Sequence, residues 1–156
     1  RNFVTTEVTV ASDVTNQLTR ANFDVLLVGD QESAPAGELA TVGAAWDPVV
    51  ENFTGTGGVV VVLTGGQGTA EMDDLIDALG IFNATGTTGA NGQTMYVNAP
   101  GNAIGINVVT PYLAVNRSCT FVTTDVTDGT TVLVTSDSQV AGGNPAAVHR
   151  IVPPIP

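Results

Sequence analysis

Two periods of apolar residues run along the chain and predict alternating strands and helices in its first half. Apolar side chains between positions 38 and 53 recur at intervals of three and four, which is typical of an amphipathic helix. Residues 3–10 are dense in Val and Thr, whose branched side chains favour a strand. The runs at 23–30 and 59–64 are continuously rather than alternately apolar over residues 25–28 and 59–63, which indicates strands buried on both faces of a parallel sheet.

Helices are predicted to follow each of these strands. Ser12 or Asp13 can cap a short first helix, since both side chains accept hydrogen bonds from free backbone N–H groups. Pro48 lacks an N–H group, so we expect it to kink the second helix or to divide it in two. A third helix is predicted over residues 69–79, with Gly80 as its C-terminal stop.

The pattern changes to short β segments after a polar loop at residues 83–92. Asp128-Gly129 predicts a hairpin turn between two of these segments, because Gly tolerates the positive φ of a tight turn. The predicted segments cover residues 95–97, 104–109, 119–124, 130–135 and 147–152. The fold class expected is α/β, a three-layer sandwich with a mostly parallel, doubly wound sheet and a β-rich C-terminal part. One domain should span residues 1–152, followed by a Pro-rich tail at 153–156.

Charge and composition exclude some classes of partner. Fifteen acidic residues face four Arg and no Lys, a net charge of −11, so the chain would repel a nucleic-acid backbone. The longest aliphatic run, 59–63, is far short of the ~20 residues that cross a bilayer, so we expect no membrane insertion. The Thr, Val, Gly and Asn content, the lack of Lys and the start at Arg1 favour a processed, extracellular or cell-surface protein. Sequons at Asn52, Asn83 and Asn116 would permit glycosylation there.

The turn between the 59–64 strand and the third helix is the candidate anion site. Backbone N–H groups at such a turn bind anions in many α/β folds. Acidic residues in the first turn of the helix, at 71, 73 and 74, would repel a phosphate, and a tight structural turn is the alternative. The turn consists of Gly65, Gly66, Gln67, Gly68 and Thr69.

Catalytic and metal-binding side chains are sparse. Cys119 and His149 form the one conceivable nucleophile and base pair. A lone Cys is more often a small buried hydrophobe, and a lone His more often structural. The aspartates at 125, 128 and 137 do not have the spacing of an EF-hand loop, so no metal and no cofactor is expected. Three aromatic residues, Trp46, Tyr96 and Tyr112, could offer stacking faces to a carbohydrate.

Residues 2–79, with the runs at 23–30 and 58–66, resemble the class I glutamine amidotransferase-like superfamily, which has a flavodoxin-like α/β fold. The segment 98–104 and the β-rich end that follows are similar to its non-catalytic, extracytoplasmic relatives. Catalytic members carry a Cys in a Gly-x-Cys-x-Gly turn after the central strand. Here the turn at 65–69 has no Cys, so the resemblance implies a fold without the family nucleophile.

The resemblance also implies that a strand is missing. Such folds place a central strand and a helix before the segment that resembles residues 3–10. A missing interior strand leaves backbone groups unpaired, at about 1–3 kcal/mol each. Residues 3–10 could take the central position. Otherwise an upstream fragment or a neighbouring subunit supplies a strand by β-augmentation.

These observations predict a non-catalytic structural or interaction domain of a secreted or cell-surface protein. One form of the prediction is a subunit of a self-assembling filament or surface layer, completed by a strand from a partner. A hydrolase or amidotransferase-like enzyme that uses Cys119 and His149 is one alternative, and a carbohydrate-binding module is another.

Overall fold

A computed structural model describes residues 4–65, 72–84, 86–116, 118–122, 130–134 and 145–155. Helices and strands both occur in this part of the chain, so the mixed α/β content expected from the sequence is confirmed. In chain order the elements are α1 (Ala11–Gln17), β1 (Val25–Val28), α2 (Glu38–Gly55), β2 (Val59–Val62), α3 (Met72–Ala78), β3 (Gly86–Gly89), β4 (Thr94–Val97), β5 (Tyr112–Leu113), β6 (Cys119–Val122), β7 (Thr130–Val134) and β8 (Pro145–His149).

The strands described form three small sheets. β1 and β2 are parallel, β3 and β6 are antiparallel, and an antiparallel sheet has the order β5-β4-β7-β8. Parallel pairing among the described residues is confined to β1 and β2, so the expected doubly wound sheet is wrong for this part of the chain. Among the described strands only β2 lies beside β1, whereas a doubly wound sheet needs several neighbours.

All three helices pack on the same face of the β1–β2 sheet. They enclose the main core, towards which Leu26, Val60 and Val62 of the sheet also point. The core residues are Val14, Leu18, Val28, Leu39, Val50, Phe53, Met72, Leu75 and Leu79. Side chains alternate along a strand, so the intervening residues of β1 and β2 lie on the opposite face. They are exposed there, and the expected third layer is therefore not formed by the described residues.

Two helix boundaries differ from the sequence prediction. α2 continues through Pro48 as a single helix, because a core stripe that includes Leu39, Val50 and Phe53 holds both halves against the sheet. α1 begins at Ala11 without a side-chain cap, so the capping role predicted for Ser12 or Asp13 is wrong.

The β-rich end is confirmed, but its pairing differs from the hairpin prediction. Asp128-Gly129 lies outside the described residues, and the strands on either side of it, β6 and β7, belong to different sheets. β6 instead pairs with β3, a strand in the predicted 83–92 loop, and Phe121 of β6 packs edge-on against Phe82 at 5.1 Å. The predicted 104–109 strand is absent, since Asn107 adopts a φ of 64° that an extended strand does not tolerate.

The Pro-rich end contacts the helical layer. The Ile155 N–H donates to the Gly55 carbonyl at 3.2 Å, at the C-terminus of α2. Ile155, within the predicted Pro-rich tail, is therefore attached to the helical layer.

Candidate functional site

A groove of about 1480 Å³ lies beside β1. Residues 4–10 line it together with residues 22–35, which include β1. Apolar side chains from α1 and α2, among them Val14, Leu39 and Trp46, also line it. We call this space the strand groove, because its walls include a strand edge and the segment predicted to be a neighbouring strand.

The edge of β1 that borders the strand groove has no strand partner in the described chain. On the other edge, the Val59 N–H donates to the Asp24 carbonyl at 3.0 Å and the Leu63 N–H donates to the Val28 carbonyl at 2.9 Å. Backbone groups of successive residues point to alternate edges in a parallel ladder. The N–H and C=O groups of Val25 and Leu27 therefore point away from β2, towards the groove.

The opposite wall does not pair with β1 either. Residues 4–9 belong to no helix or strand and are exposed, whereas the sequence predicts a strand over 3–10. The prediction is wrong for the described residues, because an extended segment becomes a strand only when a neighbour accepts and donates its backbone hydrogen bonds. The described residues of this segment also do not take the central place next to β1.

The rim of the strand groove is acidic. Among the described residues that line it there is no Lys or Arg. Arg20, outside the lining, binds one rim residue through a contact of 2.6 Å to Asp24 Oδ1. The carboxylates in the lining are Glu7, Asp13, Asp24, Asp30, Glu32 and Glu38. A segment with basic flanks would therefore be attracted to the groove and an acidic segment repelled.

The sheet face that the helices do not cover is aliphatic. Its five side chains are between 37% and 62% exposed, and we call them the uncovered face: Val25, Leu27, Val59, Val61 and Leu63. The register places Val25 beside Val59 and Leu27 beside Val61, so the exposed groups are contiguous. Parallel sheets are normally covered on both faces, and contiguous exposed apolar groups often mark an interaction site.

Cys119 is held as a structural thiol. Its Sγ donates to the Thr64 carbonyl at 3.5 Å, at the end of β2. Burial raises the pKa of the Cys119 thiol above its ordinary value of 9.0, and the Asp30 charge raises it further, against the lowering effect of the Thr64 hydrogen bond. The protonated thiol is a weak nucleophile at neutral pH.

The described geometry does not join Cys119 to His149. The Nδ1 atom of His149 lies 2.9 Å from Nδ2 of Asn102, an amide nitrogen that donates to the ring. Each member of the candidate pair thus has its side-chain hydrogen bond elsewhere. Nucleophilic catalysis needs the two groups within hydrogen-bond reach of one another.

The three aromatic candidates do not share one surface. Trp46 is partly buried against the main core, and its Nε1–H donates to the Ala11 carbonyl at 2.9 Å. Tyr112 lies across from Met95, so Tyr96, the next residue along β4, points to the other face of that sheet. A carbohydrate-stacking platform would need these rings on one side.

Other candidate positions are dispersed. Gly65 of the candidate anion turn is described, whereas Gly66, Gln67, Gly68 and Thr69 lie outside the described residues, as do the aspartates at 125, 128 and 137. The sequon asparagines Asn52, Asn83 and Asn116 are all exposed. In the part of the chain that the structure describes, no three His, Cys, Asp or Glu side chains cluster as metal ligands would. Of the helices described, none has the length and apolar character that crossing a membrane requires.

Comparison with known proteins adds no relative: the chain matches no protein-family model, no curated protein and no solved structure. The site must therefore be interpreted from its own geometry. The sequence did not reveal the uncovered face, because continuous apolar runs at β1 and β2 indicate strands buried on both sides. A further signal was present in the chain order, since helices that follow successive strands in one direction across a sheet lie on one face.

Proposed function

We propose that the chain is a non-catalytic structural or interaction domain of a secreted or cell-surface protein, and that a strand from a partner completes its sheet. The strand groove is the observation that carries this proposal. Among the described residues it has an unpaired strand edge on one side, a segment that belongs to no helix or strand on the other, and apolar helix residues between them.

An inserted strand would satisfy groups that now lack a strand partner. Parallel to β1, it would exchange hydrogen bonds with Val25 and Leu27, and residues 4–10 would become its second neighbour. Each backbone hydrogen bond contributes about 0.5–1.5 kcal/mol to association. The sheet would then gain two strands and become a larger parallel sheet, as in the flavodoxin-like fold that the resemblance to glutamine amidotransferase-like proteins implies.

The surface chemistry fits a role outside the cell. Asn52, Asn83 and Asn116 are exposed, as glycosylation requires, and a Lys-free chain with a net charge of −11 stays soluble at high concentration. The filament or surface-layer form would require each copy to supply a strand to the next, and the net charge of −11 on every copy opposes that association. The half-buried, protonated Cys119 supports a structural role over catalysis.

Peptide titration tests the proposal. The probe is a synthetic peptide of seven or eight aliphatic residues flanked by Lys, added to the chain while Trp46 fluorescence and binding heat are followed. We expect saturable binding of one peptide per chain, since the described residues form one strand groove. Trp46 lines the groove, so its fluorescence should report the binding. The control is the same peptide N-methylated at every second residue, which removes hydrogen-bond donors along one edge. Absence of binding, or equal binding of both peptides, would contradict strand completion.

A further inference from the structure

The uncovered face remains exposed even when a strand fills the strand groove. A strand lies in the plane of the sheet, and Val25, Leu27 and Val61 point out of that plane. The face therefore needs an element of its own, and a helix is the element that covers parallel sheets.

Crossover handedness fixes where such a helix belongs. α1 leads from residues 4–10 to β1 and α2 leads from β1 to β2, so both connections step across the sheet in the same direction. Right-handed crossovers in one direction place their helices on one face, and crossovers in the reverse direction place them on the other. A helix on the uncovered face thus belongs to a reverse step, from a strand in the groove back towards residues 4–10.

The acidic rim of the strand groove favours one kind of partner chain for the strand and the helix. The groove rim has six carboxylates, and every copy of the present chain has a net charge of −11. A second copy would therefore meet like charge at the rim, which costs binding free energy. A partner with Lys or Arg at both ends of an aliphatic strand would meet the opposite charge.

We propose, building on the function proposed above, that one strand–helix unit of a different, basic polypeptide fills both sites. Its aliphatic strand enters the strand groove parallel to β1, and its amphipathic helix packs on the uncovered face and ends beside residue 4.

Three synthetic peptides test this inference by calorimetry on the whole chain. The first is the Lys-flanked aliphatic strand, the second adds an amphipathic helix with a Leu stripe, and the third carries Glu in place of each flanking Lys. We expect the strand–helix peptide to bind at least about tenfold more tightly than the strand peptide, because the helix removes the aliphatic side chains of the uncovered face from water. The Glu-flanked peptide should bind more weakly than either.

A matched pair of variants locates the helix. Leu63 on the uncovered face and Leu113 in β5 are 52% and 62% exposed, and neither lines the strand groove. Leu63→Asp should remove the advantage of the strand–helix peptide and leave binding of the strand peptide within about twofold, whereas Leu113→Asp should change neither. Urea unfolding of each variant establishes that both remain folded.

The outcomes separate the two proposals. Equal affinities of the strand and strand–helix peptides, or equal effects of the two variants, would overturn the helix inference and leave strand completion intact. Failure of both peptides would overturn both proposals. A dimer that forms without peptide and is lost in Leu63→Asp would show that a second copy covers the face, which also overturns the basic-partner inference.

Discussion

Adjacent leucines in β1 should differ sharply in what they contribute to the stability of the isolated chain. Leu26 points into the helical layer and packs against the main core. Leu27 is the next residue, points to the opposite face and is 62% exposed. Replacing each in turn by Ala makes the same chemical change at neighbouring positions. The difference in the free energy of unfolding between the two variants therefore reports how well each face of β1 is covered.

The structure sets the size of the two effects. Full burial of a Leu side chain contributes about 1.5–3 kcal/mol, and Leu27 is less than half buried, so Leu27→Ala should cost about 1 kcal/mol or less. Leu26 is partly buried against the core, so Leu26→Ala should leave a small cavity beneath the helices and cost about 2–3 kcal/mol, towards the low end for a core leucine. The free energy of unfolding of Leu26→Ala should therefore be lower by at least about 1 kcal/mol than that of Leu27→Ala.

Urea unfolding followed by far-UV circular dichroism measures both costs. The two variants should keep the m-value of the parent chain and differ in midpoint. If both variants lost about 2–3 kcal/mol of unfolding free energy, Leu27 would not be on an uncovered face, because the isolated chain would then cover both faces of β1. Addition of the strand–helix peptide should then increase the cost of Leu27→Ala and leave that of Leu26→Ala nearly unchanged.

Three further predictions concern the packing around the sheet. Gly58→Ala would place a Cβ within 2.5 Å of Cζ in the fully buried ring of Phe53, so thermal unfolding should show a loss of about 1–3 kcal/mol, and unchanged stability would contradict this contact. Arg150→Gln removes a charged donor from the carbonyls after α3 and should lower the free energy of unfolding in urea by about 1–3 kcal/mol. The exposed ion pair of Arg20 serves as the control, and Arg20→Gln should cost about 1 kcal/mol or less. Equal losses in the two variants would contradict a special role for Arg150. Burial raises the native pKa of Cys119, so above pH 9.0 the thiol ionises in the unfolded chain first and the free energy of unfolding should fall. This contribution to the slope should vanish in Cys119→Ala. Iodoacetamide labelling as fast in the native as in the unfolded chain would contradict the burial.

Local patterns predicted the helices well, because the information lies within a few residues of sequence. The apolar stripe of α2 predicted the burial of Leu39, Val50 and Phe53, which the structure confirms. Gly80 ends α3 in the left-handed conformation expected of a C-terminal stop, with a φ of 62°. Strand pairing depends on distant partners, and so residues 86–89 were predicted as loop although they pair with β6.

The candidate site was less accessible from the sequence. The apolar runs at β1 and β2 predicted strands buried on both faces, and the described residues cover only one face, since Val25, Leu27, Val59 and Val61 are exposed. Residues 4–10 have the composition of a strand, but the described part of this segment pairs with none. The expectation of a missing strand came from the order of elements. The strand groove lies between the two segments that such a strand would separate, and that agreement motivates the proposed function.

Amide hydrogen exchange of β1 and β2, with and without the Lys-flanked strand peptide, tests whether a strand pairs with the free edge of β1. The N–H groups of Val25 and Leu27 point towards the strand groove, whereas those of Val60 and Val62 point to the outer edge of β2. We expect the peptide to slow amide exchange at Val25 and Leu27 and to leave the exchange rates of Val60 and Val62 unchanged. Unchanged exchange at Val25 and Leu27, or protection at Val60 and Val62 instead, would contradict it.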